Sequence, residues 1–261
     1  MFRSLHIAAT GMSAQETQLE GVANNIANAN TVGYKRQRVE FQDLLYQNVR
    51  EAGAATGPNT MAPMGLQVGT GVRVVGTSRA FEEGGLENSG NPLDVAIEGS
   101  GFFVVQQPDG TPAYTRAGTL KADGQGRIVT NEGMPLDPPI TIPAGSTSVS
   151  IAANGSVSAT MAGQNAPVEV GRIGLAGFVN PAGLKALGHN LFVSTPASGE
   201  AQLGGPGEDG RGTLLQGSFE RSNVDIVTEM IGMISAQRGY EINSKVITTA
   251  DDMLRAASQM K

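Results

Sequence analysis

Apolar residues near the start of the chain recur every seven positions. Leu5, Met12, Leu19 and Ile26 form one line, and Ala8, Gln15, Val22 and Ala29 a second line three residues on. Paired lines of this kind make the a/d seam of a heptad helix, and small residues in the seam let a partner approach closely. The spacing predicts a helix over residues 1–30. It stops where asparagines and then Gly33 gather, residue types that tolerate the left-handed turn ending a helix. The same spacing returns at the other end as Ile226, Met233, Tyr240, Ile247 and Leu254, with Glu229, Ala236, Asn243, Ala250 and Ala257 three on. Ser222 followed by Asp225 reads as a capping box opening this second helix. Both seams are too narrow and too rich in small residues for one globular core to cover, so they predict helix-on-helix packing as a coiled coil.

Between the helices the period falls to two. Val68, Val72, Val74 and Thr77 alternate, and residues 94–98 and 102–105 are short apolar runs divided by Gly99 and Gly101. Pro108-Asp109-Gly110, Asp123-Gly124-Gln125-Gly126 and Asn154-Gly155 are three turn signals flanked by strand-like runs, each the mark of a hairpin. Residues 168–178, 191–193 and 213–219 supply further strands. Residues 34–46 read as a short strand or extended arm. Residues 51–65 and 198–212 have neither period nor bulk and read as loops, the first long for a structureless segment in a compact domain. The expected fold is α+β: long N- and C-terminal heptad helices packed as a coiled coil, an inserted all-β outer domain, and extended junction arms. The expected boundaries are 1–30 with 222–261 for the helical domain and 31–66 with 198–221 for the junction. The β-rich domain then covers 67–197.

Composition supports this picture. Of 261 residues 39% are apolar and 5% aromatic, and 36 are glycine, a profile of turn-rich β structure and alanine-rich helices. The formal net charge of −6 resides almost wholly in the middle, because residues 1–46 are balanced and 222–261 carry −1. Near-neutral helices suit a crowded interface, where like charges would be poorly screened. With no basic cluster larger than Lys35-Arg36-Gln37-Arg38, nucleic acid is not an expected partner. There is no cysteine, which removes disulfides, thiolate metal sites and a thiol nucleophile. No apolar run approaches the ~20 residues of a membrane span, so no direct membrane insertion is expected.

The catalytic inventory is thin. His6 and His189 are the only histidines, and neither has carboxylates at metal-ligand spacing. Gly99-Ser100-Gly101 lacks the frame of a nucleophile elbow, and the glycine clusters lack the Lys-Ser/Thr of a phosphate loop. No enzyme activity, cofactor or metal is expected.

The segment Ala23-Asn24-Asn25-Ile26-Ala27-Asn28-Ala29-Asn30-Thr31-Val32-Gly33-Tyr34-Lys35 resembles the signature of the bacterial flagellar rod and hook axial proteins. Residues 222–225, 229–230 and 237–245 resemble that family's C-terminal motif. The resemblance covers essentially the whole chain and is closest to members that build the distal part of the rod. It implies a structural protein that polymerises helically, with the terminal helices as an inner tube around the export channel. Implied partners are further copies of the chain, proximal rod proteins, hook protein, the surrounding P and L ring proteins and a rod cap. The implied location is the rod crossing the periplasm, reached through the flagellar secretion apparatus without a cleaved signal peptide. Residues expected at the polymer interface are Leu5, Met12, Leu19, Asn24, Asn25, Ile26, Asn28, Asn30, Gly33 and Tyr34. From the second helix they are Ile226, Met233, Arg238, Tyr240, Asn243, Ile247 and Leu254. The 51–65 segment corresponds in position to an insert associated in the family with a stiff rod, where Pro58 and Pro63 limit the backbone and Met61 and Met64 offer adaptable contacts. His6 and Gly239 depart from the family pattern, which favours an aromatic residue and Ala there. Alternatives are a proximal rod paralogue or, from another class, a secreted β-rich binding module or enzyme.

Overall fold

The computed structural model describes residues 2–53, 55–57, 60–163 and 166–259. Helix α1 spans Phe2–Ala27 and helix α2 spans Ile226–Gln259, and most of what lies between them is β structure, so the fold is α+β. The chain divides into two compact units. The first comprises residues 1–26, 37–78 and 226–261, and the second residues 27–36 and 79–225.

In the first unit α1 and α2 run antiparallel. The contacts follow one register: Gly11 meets Asn243, Gln15 meets Gly239, Val22 meets Gly232 and Asn25 meets Glu229, so that in each pair the residue numbers add to 254. The glycines explain themselves here. A Cβ at Gly239 would lie 3.1 Å from Gln15 Cδ, and one at Gly11 would lie 2.9 Å from the Asn243 amide nitrogen. The side chains fully buried on the two helices are small or polar: Ala8, Ala14, Val22 and Asn25 on α1, and Glu229, Ala236 and Ala250 on α2. A second face of α1, not foreseen from the seam, lies against the arm. Gly21 sits against Val39, and Thr10 Oγ1 accepts the Val72 N–H at 3.4 Å.

Two readings of the junctions change. Helix α2 begins at Ile226, four residues after Ser222, whose hydroxyl instead accepts the Val224 N–H at 3.3 Å, so Ser222 is not its N-cap. Within residues 47–68, expected to contain a long loop, the described residues include two short antiparallel strand pairs. Gln47–Arg50 pairs antiparallel with Leu66–Val68, and inside that ladder Ala55–Gly57 pairs with Thr60–Met61. Each such pair gives backbone N–H and C=O groups hydrogen-bond partners, which composition alone does not reveal.

The second unit is built on a six-stranded antiparallel sheet in the order Lys185–Gly188, Leu191–Val193, Pro112–Thr115, Phe102–Gln106, Leu175–Gly177, Gln202–Gly204. One core contains Val95, Phe103, Leu120, Ile128, Val157 and Leu175. A smaller aromatic cluster contains Phe102, Tyr114 and Phe192, with edge-to-face rings. All three turn signals close hairpins, with Gly110, Gly126 and Gly155 at positive φ. Residues 198–212 are more ordered than a loop: Gln202–Gly204 adds to the sheet edge and Arg211 is buried.

Candidate assembly site

The signature segment after α1 folds into the chain itself. Asn25, 1% exposed, uses its side-chain amide as a backbone substitute: Oδ1 accepts the Gln37 N–H at 2.9 Å, and Nδ2 donates to Gln37 O at 2.8 Å and to Glu229 Oε2 at 3.1 Å. One asparagine thereby ties α1, the first arm strand and α2 together within the first unit.

In the second unit Gly33 has φ +69°, and a Cβ there would come within 2.6 Å of Ala117 N, so the position demands glycine. Its N–H donates to Glu220 O at 2.8 Å. Tyr34 is buried with the Arg79 guanidinium 5.6 Å from its ring centre. Lys35 is fully buried. Its Nζ lies 2.6 Å from Glu220 Oε1 and also donates to Glu82 O. Glu220, likewise fully buried, receives Arg116 Nε on Oε2 at 2.8 Å and the Gly84 N–H on Oε1 at 2.8 Å. Arg116 also donates through Nη2 to Glu220 Oε1 at 3.3 Å and through Nη1 to Gly99 O and Gly101 O. Burial pulls the Lys35 ammonium below its ordinary pKa even with Glu220 beside it. Burial pushes Glu220 upward, but the Arg116 and Lys35 cations outweigh it and hold the carboxyl below the usual range.

Of the residues expected at the polymer interface, Asn25, Gly33 and Tyr34 thus have their side or main chains engaged inside the chain. Leu5, Met12, Leu19, Ile26, Asn28, Met233, Asn243, Ile247 and Leu254 are half-buried, while Asn24, Asn30, Ile226, Arg238 and Tyr240 are exposed. In the arm, Met61, Pro63 and Met64 are exposed, and Pro58 lies outside the described residues. Sequence reasoning missed Glu220 and Arg116 as partners of the signature, since nothing local marks them; Asn223 stood out as part of the C-terminal motif, but its bonds to the signature did not.

Among the described residues, exposed apolar side chains gather on α2 and on the arm ribbon. On α2, Val227, Met230, Ile231 and Ile234 are exposed at spacings of three and four, on the face opposite the one that meets α1. On the arm ribbon, Leu45, Tyr46, Val49, Met61, Met64 and Leu66 are all at least half exposed. Chemistry is sparse by comparison. Among the described residues no group of three or more His, Asp or Glu could hold a metal ion. His189 stands exposed, 3.6 Å from Glu132, and no described helix is long and apolar enough to cross a membrane.

Comparison with known proteins gives the arrangement a context. Three family models match: a flagella basal body rod protein model over residues 5–35, a flagellar hook protein FlgE/F/G D1 domain over 96–159, and a flagellar basal body rod FlgEFG protein C-terminal model over 215–260. The chain is 49% identical over 260 residues to a flagellar basal-body rod protein FlgG of Caulobacter vibrioides, covering 99% of both chains. It is 46% identical over 263 residues to the protein of that name from Borreliella burgdorferi, covering 100% of this chain and 99% of that one. Identity to the one from Bacillus subtilis is 38% over 266 residues, covering both chains fully.

Proposed function

The chain belongs to the FlgG family of flagellar basal-body rod proteins, and we propose that it builds the distal rod as a helical homopolymer that carries torque from motor to hook around an export channel. The observation that carries this reading is the outer face of α2. Four large apolar side chains stand in water on a helix whose opposite face is already occupied, a surface that a second copy of the chain would bury. The half-buried seam residues, Leu5 to Ile26 on α1 and Met233 to Leu254 on α2, would complete a coiled coil as neighbouring helices close over them. Small residues in the α1–α2 contact keep the pair slim, as a closely packed inner tube requires.

The exposed ribbon of the arm is the second contact. Met61, Met64 and Leu66 offer adaptable apolar surface to an adjoining subunit, bracing the shaft against bending. Partners beyond self-association are the proximal rod proteins, hook protein, the P and L ring proteins and the rod cap, and delivery is through the flagellar secretion apparatus. No catalytic step is part of this function.

The test is Ile234→Asp, which places a charge in the proposed contact, on a helix of the first unit. Cells carrying the variant should lack complete rods in electron micrographs, although the purified protein keeps its β-sheet circular dichroism. Normal rods from the variant would show that α2's outer face is not an interface.

A further inference from the structure

The chain passes between the two units at 26/27, 36/37, 78/79 and 225/226. Three of these four passages lie within a few residues of one group of buried and half-buried polar contacts in the second unit. Its first member is Glu220, which reaches Lys35 near the first exit, Arg116 in the sheet, and the Gly84 N–H just after the return. Its second is Asn223. The Asn223 amide accepts the Arg36 N–H on Oδ1 at 2.7 Å and donates through Nδ2 to Ala80 O at 2.8 Å and Glu82 O at 3.2 Å. The Ala80 N–H closes the set on Arg36 O at 2.9 Å, and Arg79 Nη1 donates to Lys35 O at 3.3 Å. Residues 37–78 therefore leave and rejoin the second unit through a stem whose two sides are sewn to each other and to the segment that feeds α2.

We infer that Glu220 and Asn223 form a mechanical latch, which keeps the stem and the signature residues 33–36 folded on the second unit whether or not the helices have found partners. The chemistry suits that task. A carboxylate held by two cations and a backbone N–H in a buried site is a charge-assisted bond with little access for competing water. The Asn223 amide, pairing with one N–H and two carbonyls, acts as a short piece of strand between segments that cannot pair directly. Strain arriving along any of the three passages meets these bonds before it meets the sheet. The latch is a property of the single chain, so its test does not depend on the polymerisation reading.

The experiment is amide-resolved hydrogen exchange by nuclear magnetic resonance on the full-length, unassembled chain, comparing the natural protein with Glu220→Gln and Asn223→Ala. Glutamine keeps one acceptor but offers a donor where Arg116 Nε points. In the natural protein the amides of Gly33, Arg36, Ala80 and Gly84 should be protected. In Glu220→Gln those of Gly33 and Gly84 should exchange about 10- to 100-fold faster, as local opening becomes easier. In Asn223→Ala the rise should centre on Arg36 and Ala80. The core amides of Ile128 and Asp137, which donate to Ile140 O and Val104 O, should change less than about twofold in both variants. Unprotected stem amides in the natural chain would overturn the proposal, as would unchanged exchange in the variants. So would a rise that includes Ile128 and Asp137, because the group would then be part of the core and not a separable latch.

Discussion

Replacing Asn25 by Asp changes one atom's chemistry at the most connected residue of the signature. The amide nitrogen that donates to Gln37 O at 2.8 Å and Glu229 Oε2 at 3.1 Å becomes an oxygen facing two acceptors. Each lost bond in this buried site costs about 1–3 kcal/mol. Two ionised carboxylates at the 3.1 Å separation repel by about 5 kcal/mol at an effective dielectric of about 20. The substitution should therefore remove most of the stability of the α1–α2 pair at about pH 7. Acid should restore part of it: burial beside another carboxylate raises the proton affinity of the introduced carboxyl in the folded state, so the folded variant binds more protons than the unfolded one and gains stability as pH falls. Asn25→Leu loses the same hydrogen bonds without adding charge, so its defect should not respond to pH in this way. The assay is thermal melting of the helical circular dichroism signal at about pH 7 and about pH 5, with the β signal of the second unit as internal reference. An Asp variant as stable as the natural chain at about pH 7, or one whose pH response matches that of Leu, would refute the role given to Asn25.

Three further outcomes are expected. Gly33→Ala forces a Cβ into the Ala117 backbone at φ +69° and should lower the melting temperature of the second unit by roughly 5 °C or more, while Gly90→Ala in the same unit, at φ +71° with nothing within 4 Å, serves as the control for φ strain alone. Glu220 is held below its ordinary pKa, so the stability it contributes is present above the usual glutamate range and is lost as pH falls through its folded value. Melts of the second unit from neutral to acidic pH should fall more steeply for the natural chain than for Glu220→Gln, and parallel curves would contradict the assignment. Deleting residues 52–64 should leave assembly and the β unit's melting intact but give curved or flexible polymers in micrographs, whereas straight rods would return the ribbon to a passive role.

The terminal helices were legible because a seven-residue repeat is a strong local signal, and the three hairpins because Gly and Asn-Gly turns have few other uses. Other features had no such signature. The partner of Lys35 lies 185 residues away and that of Arg116 lies 104 away, so no spacing rule could join them at Glu220. Asn25 was visible as part of a motif, but its role was not. It acts inside the chain because the end of α1, the start of the arm and Glu229 of α2 converge on it. Gly232 and Gly239 of α2 each cost about 1 kcal/mol relative to alanine in an isolated helix. They become intelligible only beside Gln15 and Val22, in a register that neither helix displays alone. The ribbon at 47–68 escaped notice because its strands are too short and too mixed in polarity to show a period.

The central claim is that the outer face of α2 is an interface between copies of this chain, and helical reconstruction of the assembled protein by electron cryomicroscopy tests it most directly. The account predicts a tube with α1 and α2 in its inner wall and Val227, Met230, Ile231 and Ile234 covered by a neighbouring subunit's helices. A polymer in which those four side chains still face solvent would contradict it.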